Sequence, residues 1–131
     1  MPDDRFERGA ELVSKIYGNV GAEFFAPVRD VAPDLPRYAR EFAFGDIYSR
    51  PGLDPKIREL VIISCLVAMG DTANEVHAHV HGALNLGVSR EEIVETVIQA
   101  AVYAGFPRAM AGMRVVARVF AERDEAQTAE D

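Results

Sequence analysis

The stretch Asp54-Pro55-Lys56-Ile57-Arg58-Glu59-Leu60-Val61-Ile62-Ile63-Ser64-Cys65-Leu66-Val67-Ala68-Met69-Gly70 decides the fold. Asp54 is a natural N-cap, and a proline at the first helical position loses no hydrogen bond because its N–H would have had no partner there. Gly70 supplies the left-handed stop that ends many helices. The run between these punctuation marks is too long for an ordinary strand and reads as a helix. Its second half is apolar on nearly every side, so protein, not water, must surround it.

Working outward, the same grammar repeats. Upstream, Ser49-Arg50-Pro51-Gly52-Leu53 is a turn, with Pro51-Gly52 the strongest breaker in the chain. Before it, residues 36–48 place Tyr38, Phe42 and Ile47 on one broad face, Val20 to Val31 is an apolar segment broken by Pro27, and Asp4 to Tyr17 is helical up to Gly18. Downstream, Thr72-Ala73-Asn74-Glu75 and Ser89-Arg90-Glu91-Glu92 both match the capping-box pattern. The first should open a helix running to Leu86 and stopped by Gly87. The second opens a helix through Ile93, Val97 and Val102, broken at Gly105-Phe106-Pro107, with a last helix from Arg108 to about Glu122. No alternating strand-and-turn pattern is present, and the expected class is all-α. Two helices apolar on nearly every face are hard to bury in one small bundle, so a homo-oligomer is expected to supply the missing cover.

Composition narrows the function classes. The chain has 131 residues, 49% of them apolar, and a formal net charge of −7. That length suits one domain over residues 1–131, able to fold without a metal or disulfide staple. The acidic balance, with no basic cluster, argues against a nucleic-acid partner. Much of the negative charge lies in residues 121–131, expected to form a frayed, solubilising tail. The single cysteine, Cys65, excludes an internal disulfide and suits a reducing compartment. The charged N-terminus lacks the apolar core of a signal peptide, and Leu60–Met69 is about half the length needed to cross a bilayer. The expectation is a cytoplasmic protein with no membrane partner.

The polar residues inside this apolar frame carry the candidate chemistry. All three histidines, His77, His79 and His81, fall in one expected helix. His77 and His81 are four apart and share a face, whereas His79 points away from both. Two histidines alone fall short of the three protein ligands of a catalytic zinc site, and no H-E-x-x-H motif is present, so no metal is expected. Glu59 stands at the entrance of the apolar run. It is either a rim carboxylate paired with Arg58 or Arg50, or an interior group able to hold a proton. Cys65, embedded in apolar neighbours with no base nearby in sequence, reads as an inert packing residue.

Four stretches then carry a resemblance: Gly45-Asp46-Ile47-Tyr48-Ser49-Arg50-Pro51-Gly52-Leu53, Arg58-Glu59-Leu60-Val61, His79-Val80-His81-Gly82 continuing through Gly87 to Ile93, and Ala101-Val102-Tyr103-Ala104-Gly105-Phe106-Pro107. Over about residues 35–120 the chain resembles the carboxymuconolactone decarboxylase family, within the alkyl hydroperoxidase D-like superfamily. The superfamily's peroxidases use Cys-x-x-Cys-x-x-x-His. Aligned on His79, the two cysteine positions hold Thr72 and Glu75, so a dithiol redox cycle has neither of its thiols.

The resemblance implies an all-helical subunit in a homo-hexamer, working without a cofactor. It implies a carbon–carbon lyase that removes CO₂ from 4-carboxymuconolactone or a related carboxylated lactone in aromatic catabolism. By the same resemblance His79 and Glu59 are the proton-transfer pair, Arg50 clamps a substrate carboxylate, and Tyr48 lines the pocket where relatives often carry tryptophan. His81 occupies a substrate-binding position where the family commonly has arginine. Two alternatives stay open: a non-redox isomerase, cyclase or decarboxylase acting on a different acid, and a non-catalytic binding member.

Overall fold

A computed structural model describes residues 4–131. Among them every regular element is helical, as the sequence implies. The elements are α1 (Arg5–Tyr17), α2 (Asn19–Val31), α3 (Asp34–Tyr38), a π-helical segment (Ala39–Tyr48), α4 (Pro55–Met69), α5 (Ala73–Asn85), α6 (Arg90–Ala104) and α7 (Phe106–Glu130). The chain divides into two compact units, residues 1–58 and 59–131.

In the first unit, α1 packs closely on the π-helical segment, and two glycines explain how. A Cβ on Gly9 would lie 1.8 Å from the Arg40 carbonyl oxygen, and one on Gly45 would lie 2.2 Å from that of Arg5. Val13, Ile16, Tyr17, Phe25, Phe44 and Tyr48 fill the unit's interior. The Tyr17 and Phe44 rings meet edge to face at 5.7 Å, a favoured aromatic geometry. Arg5 pairs with Asp46, and Arg8 donates to the Gly45 carbonyl at 2.7 Å.

The π-helical winding corrects one expectation. Tyr38, Phe42 and Ile47 do not form a core face; all three are exposed, while Phe44, Gly45 and Tyr48 are buried. A winding that bonds each N–H to the carbonyl five residues back, as Ser49 N–H does to Phe44 at 3.2 Å, advances the apolar phase by more than 3.6 residues per turn. Pro27 likewise does not break its segment, and α2 runs through it.

In the second unit, Ile63 and Val67 of α4 join Val76, Val80 and Ala83 of α5, Ile93 and Val97 of α6, and Val115, Val116 and Val119 of α7 in one core. Gly112 lets α7 approach α4, since a Cβ there would fall 2.7 Å from Val67 Cγ2. Most of the punctuation expected around α4, α5 and α6 is present. Asp54 accepts from the Lys56 N–H at 2.9 Å, the Ser89–Glu92 capping box closes in both directions, and Gly70 adopts φ +77°. Arg108 then donates to the Met69 carbonyl at 2.6 Å, a cation placed where the helix end is negative. One expected cap differs: Thr72 makes no capping bond, because its hydroxyl donates to the Leu66 carbonyl at 2.6 Å.

Two further expectations change. The last helix starts at Phe106 and runs to Glu130, through the acidic segment expected to fray. Contacts back to the unit hold its start: Arg90 bonds Asp124 at 2.7 Å and Arg123 bonds Asn85 at 2.7 Å. Cys65 is exposed, not packed, because α4 turns that face outward. Val61 and Met69 are also exposed, as are Ile98, Val102, Tyr103, Phe106 and Met110, which is the uncovered apolar surface that the sequence predicts for a lone subunit. No helix among the described residues is long and apolar enough to cross a membrane.

Candidate functional site

Glu59 lies in the first half of α4, and the chain buries it completely. Between the two possibilities that the sequence leaves open, the structure selects the interior one. The reason is helical phase. Glu59 shares the α4 face that carries Ile63 and, two turns on, Val67, both core residues. A carboxyl group at such a place requires polar partners. His79, on α5, meets it: Nδ1 of the imidazole lies 2.9 Å from Glu59 Oε2. The His79 side chain keeps 18% of its surface accessible while the Glu59 side chain keeps none, so the pair is a buried acid in contact with a ring that reaches the surface. That arrangement can hold an imidazole in one orientation and pass a proton at its edge.

His77 and His81 sit on another face of α5, as their four-residue spacing requires, and both turn to α7. His77 Nε2 is 2.8 and 3.1 Å from the two carboxylate oxygens of Glu122, and His81 Nε2 is 2.7 Å from Glu122 Oε2. The rings themselves meet edge to face at 4.7 Å. Burial pushes the His81 pKa below the ordinary histidine value; the Glu122 hydrogen bond opposes this, and the neighbouring His77 and Arg123 reinforce it. Burial raises the Glu122 carboxyl, but the hydrogen bonds and positive charge of the two histidines outweigh it and the net shift is downward. Glu122 is therefore ionised near neutrality and each Nε2–H donates to it. Sequence spacing could not reveal this partner, which lies 41 residues from His81 and 45 from His77.

Arg50 and Tyr48 belong to the first unit. Both line a cleft there of about 550 Å³, together with Arg8, Glu11, Lys15 and Asp54. Tyr48 is buried, and its hydroxyl donates to the Pro55 carbonyl at 3.3 Å. Arg50 is exposed, and its carbonyl accepts from the Arg58 guanidinium at 2.8 Å. Thr72 and Glu75, at the positions of the peroxidase cysteines, carry no thiol.

Known proteins fit this picture. The chain is 30% identical over 119 residues to the 4-carboxymuconolactone decarboxylase of Acinetobacter baylyi, covering 90% of this chain and 88% of that protein. It is 40% identical over 75 residues to the nitrosuccinic acid decarboxylase npaB of Metarhizium robertsii, 57% of this chain and 52% of the relative. A 15.0 kDa Paracoccus denitrificans protein of uncharacterised function is 32% identical over 96 residues, 72% of each chain. The model of the carboxymuconolactone decarboxylase family matches residues 33–118, a span that takes in Tyr48, Arg50, Glu59, His79 and His81. An all-helical chain with an acid–imidazole pair and that match over most of its length belongs to the carboxymuconolactone decarboxylase family.

Proposed function

We propose that the protein is a cofactor-free carboxy-lyase that acts on 4-carboxymuconolactone or a related carboxylated lactone, with His79 and Glu59 as its proton-transfer pair. The observation that carries this is the 2.9 Å contact between a wholly buried carboxyl group and a partly accessible imidazole. The decarboxylase names of two relatives support the reaction class.

Decarboxylation needs a sink for the electron pair left by departing CO₂. In a carboxylated lactone with a conjugated ring double bond, that pair flows into the lactone carbonyl and gives a dienolate. The protein then has to stabilise the enolate oxygen and deliver one proton to the ring carbon α to the carbonyl. With Nδ1 held by Glu59, the proton reaches that carbon from Nε2 of His79, and solvent restores it. The net change is loss of one CO₂ and uptake of one proton, with no redox partner. Glu59 fixes the ring and balances the charge of the imidazolium. Arg50 is the proposed carboxylate-binding group, since a guanidinium accepts a carboxylate bidentately, and Tyr48 is a proposed lining residue. A homo-oligomer would cover the exposed apolar residues of α4, α6 and α7.

The test is direct: purified protein with 4-carboxymuconolactone, followed by CO₂ release. Stoichiometric CO₂ at a catalytic rate is the expected result. Absence of turnover with this lactone, combined with turnover of another activated acid such as nitrosuccinate, would move the substrate and keep the reaction class. That second reading is favoured by the nitrosuccinic acid decarboxylase among the relatives.

A further inference from the structure

The proton-transfer pair uses one of three histidines, and the other two converge on a single carboxylate. We propose that His77, His81 and Glu122 form a binding site for one first-row transition-metal dication of the zinc type, separate from the His79–Glu59 pair.

The donor set is the first argument. Two imidazole nitrogens and one carboxylate oxygen are borderline ligands that suit Zn²⁺, Co²⁺, Ni²⁺ or Cu²⁺, and they are poor for Mg²⁺ or Ca²⁺, which take oxygen. Two histidines four apart on one helix with a glutamate from another element are also a set that zinc accepts with a fourth position open. The second argument is convergence. One ligand atom from each residue lies within 4.8 Å of the other two. Zinc–ligand bonds of about 2.0–2.2 Å in a tetrahedron place ligand atoms roughly 3.3 Å apart. The imidazole–carboxylate separations of 2.7 and 2.8 Å have to open by about half an ångström, and the widest pair, within 4.8 Å, has to close by up to about 1.5 Å, to reach that spacing. Glu122 can accommodate this because its side chain is 41% exposed, while the buried His81 stays fixed as the anchor.

The surroundings permit the ion. Arg118 approaches Glu122 no closer than 4.0 Å and is itself half exposed, so it can swing away. The Arg123 guanidinium is engaged by Asn85 Oδ1 and the His81 carbonyl. Binding would replace the two Nε2–H bonds to Glu122 by metal bonds, and the single proton of each neutral imidazole would pass through solvent from Nε2 to Nδ1. The consequence is a clasp between α5 and the acidic half of α7.

Tag-free protein, stripped with chelator, should be titrated with Zn²⁺ by calorimetry and with Co²⁺ by visible absorption. The expected result is one ion per chain, a Co²⁺ spectrum with the intense visible bands of four-coordination, and a Tm that rises with added Zn²⁺. Glu122→Gln and His77→Ala should each weaken the affinity on the order of tenfold or more, because each removes a ligand. A His79→Ala variant should bind the metal as the parent does. Failure of the parent protein to take up either ion overturns the proposal without any variant. So does one-to-one binding that both Glu122→Gln and His77→Ala leave unchanged, which would place the ion elsewhere, such as on the acidic residues beyond Glu122.

Discussion

Replacing His79 by alanine separates the proposed chemistry from the rest of the helix that carries it. The imidazole is a direct partner of a fully buried carboxyl group, at 2.9 Å. Removing a positioned acid–base group costs about 10²–10⁴-fold in rate, which corresponds to about 2.7–5.5 kcal/mol in the activation barrier. The same change takes a hydrogen bond from Glu59, and hydrogen bonds to charged partners contribute about 1.5–3 kcal/mol to stability. Against a total stability of about 5–15 kcal/mol, the variant should still fold. The rate loss therefore has to be read on protein whose helical content and oligomer size match the parent. His77→Ala is the control, two residues away on the same helix and facing Glu122. It should stay within a few-fold of the parent in CO₂ release from the lactone. Equal losses in the two variants, or a loss confined to His77→Ala, would show that His79 is not the working histidine.

Arg50→Ala should raise KM more than it lowers kcat, the sign of lost binding common to ground and transition states; steady-state kinetics that show a pure kcat effect would remove its role as a carboxylate clamp. Gly9→Ala should lower the urea midpoint by an amount equivalent to about 1–3 kcal/mol or more, because its Cβ would meet the Arg40 carbonyl oxygen at 1.8 Å and backbone has to move. In chelator-treated protein, Tm should fall as pH drops below about 6.5: His81 has a depressed pKa in the folded chain, so the unfolded chain binds the proton first. Glu122, also depressed, adds a further loss at lower pH, and a Tm that rises on acidification would contradict both assignments. Light scattering at micromolar concentration should find an oligomer, and a monodisperse monomer would leave the exposed Val102, Tyr103 and Phe106 without the expected cover.

The sequence by itself determined the helical class and most of the punctuation, because caps and stops are local. Asp54-Pro55, Ser89 to Glu92 and Gly70 act through hydrogen bonds and dihedrals within a few residues, and all three are realised. It also determined that His79 and the His77/His81 pair occupy different faces, since helical periodicity alone settles that. The tertiary structure decided everything that depends on a partner distant along the chain. Whether Glu59 is a rim carboxylate or an interior one depended on which face of α4 met α5, and burial against His79 settled it. Thr72 looked like a cap, but the Leu66 carbonyl competed successfully for its hydroxyl. The face buried between residues 39 and 48 changed because a π-helical winding shifts the periodicity on which such a prediction rests. Glu122 carried no local signal at all: in sequence it is one more acid near the C-terminus, and only the packing of α7 on α5 places it between two imidazoles. Local rules act over about one helical turn, whereas the chemistry at both histidine clusters is made by contacts 20 to 45 residues apart, which only packing can bring together.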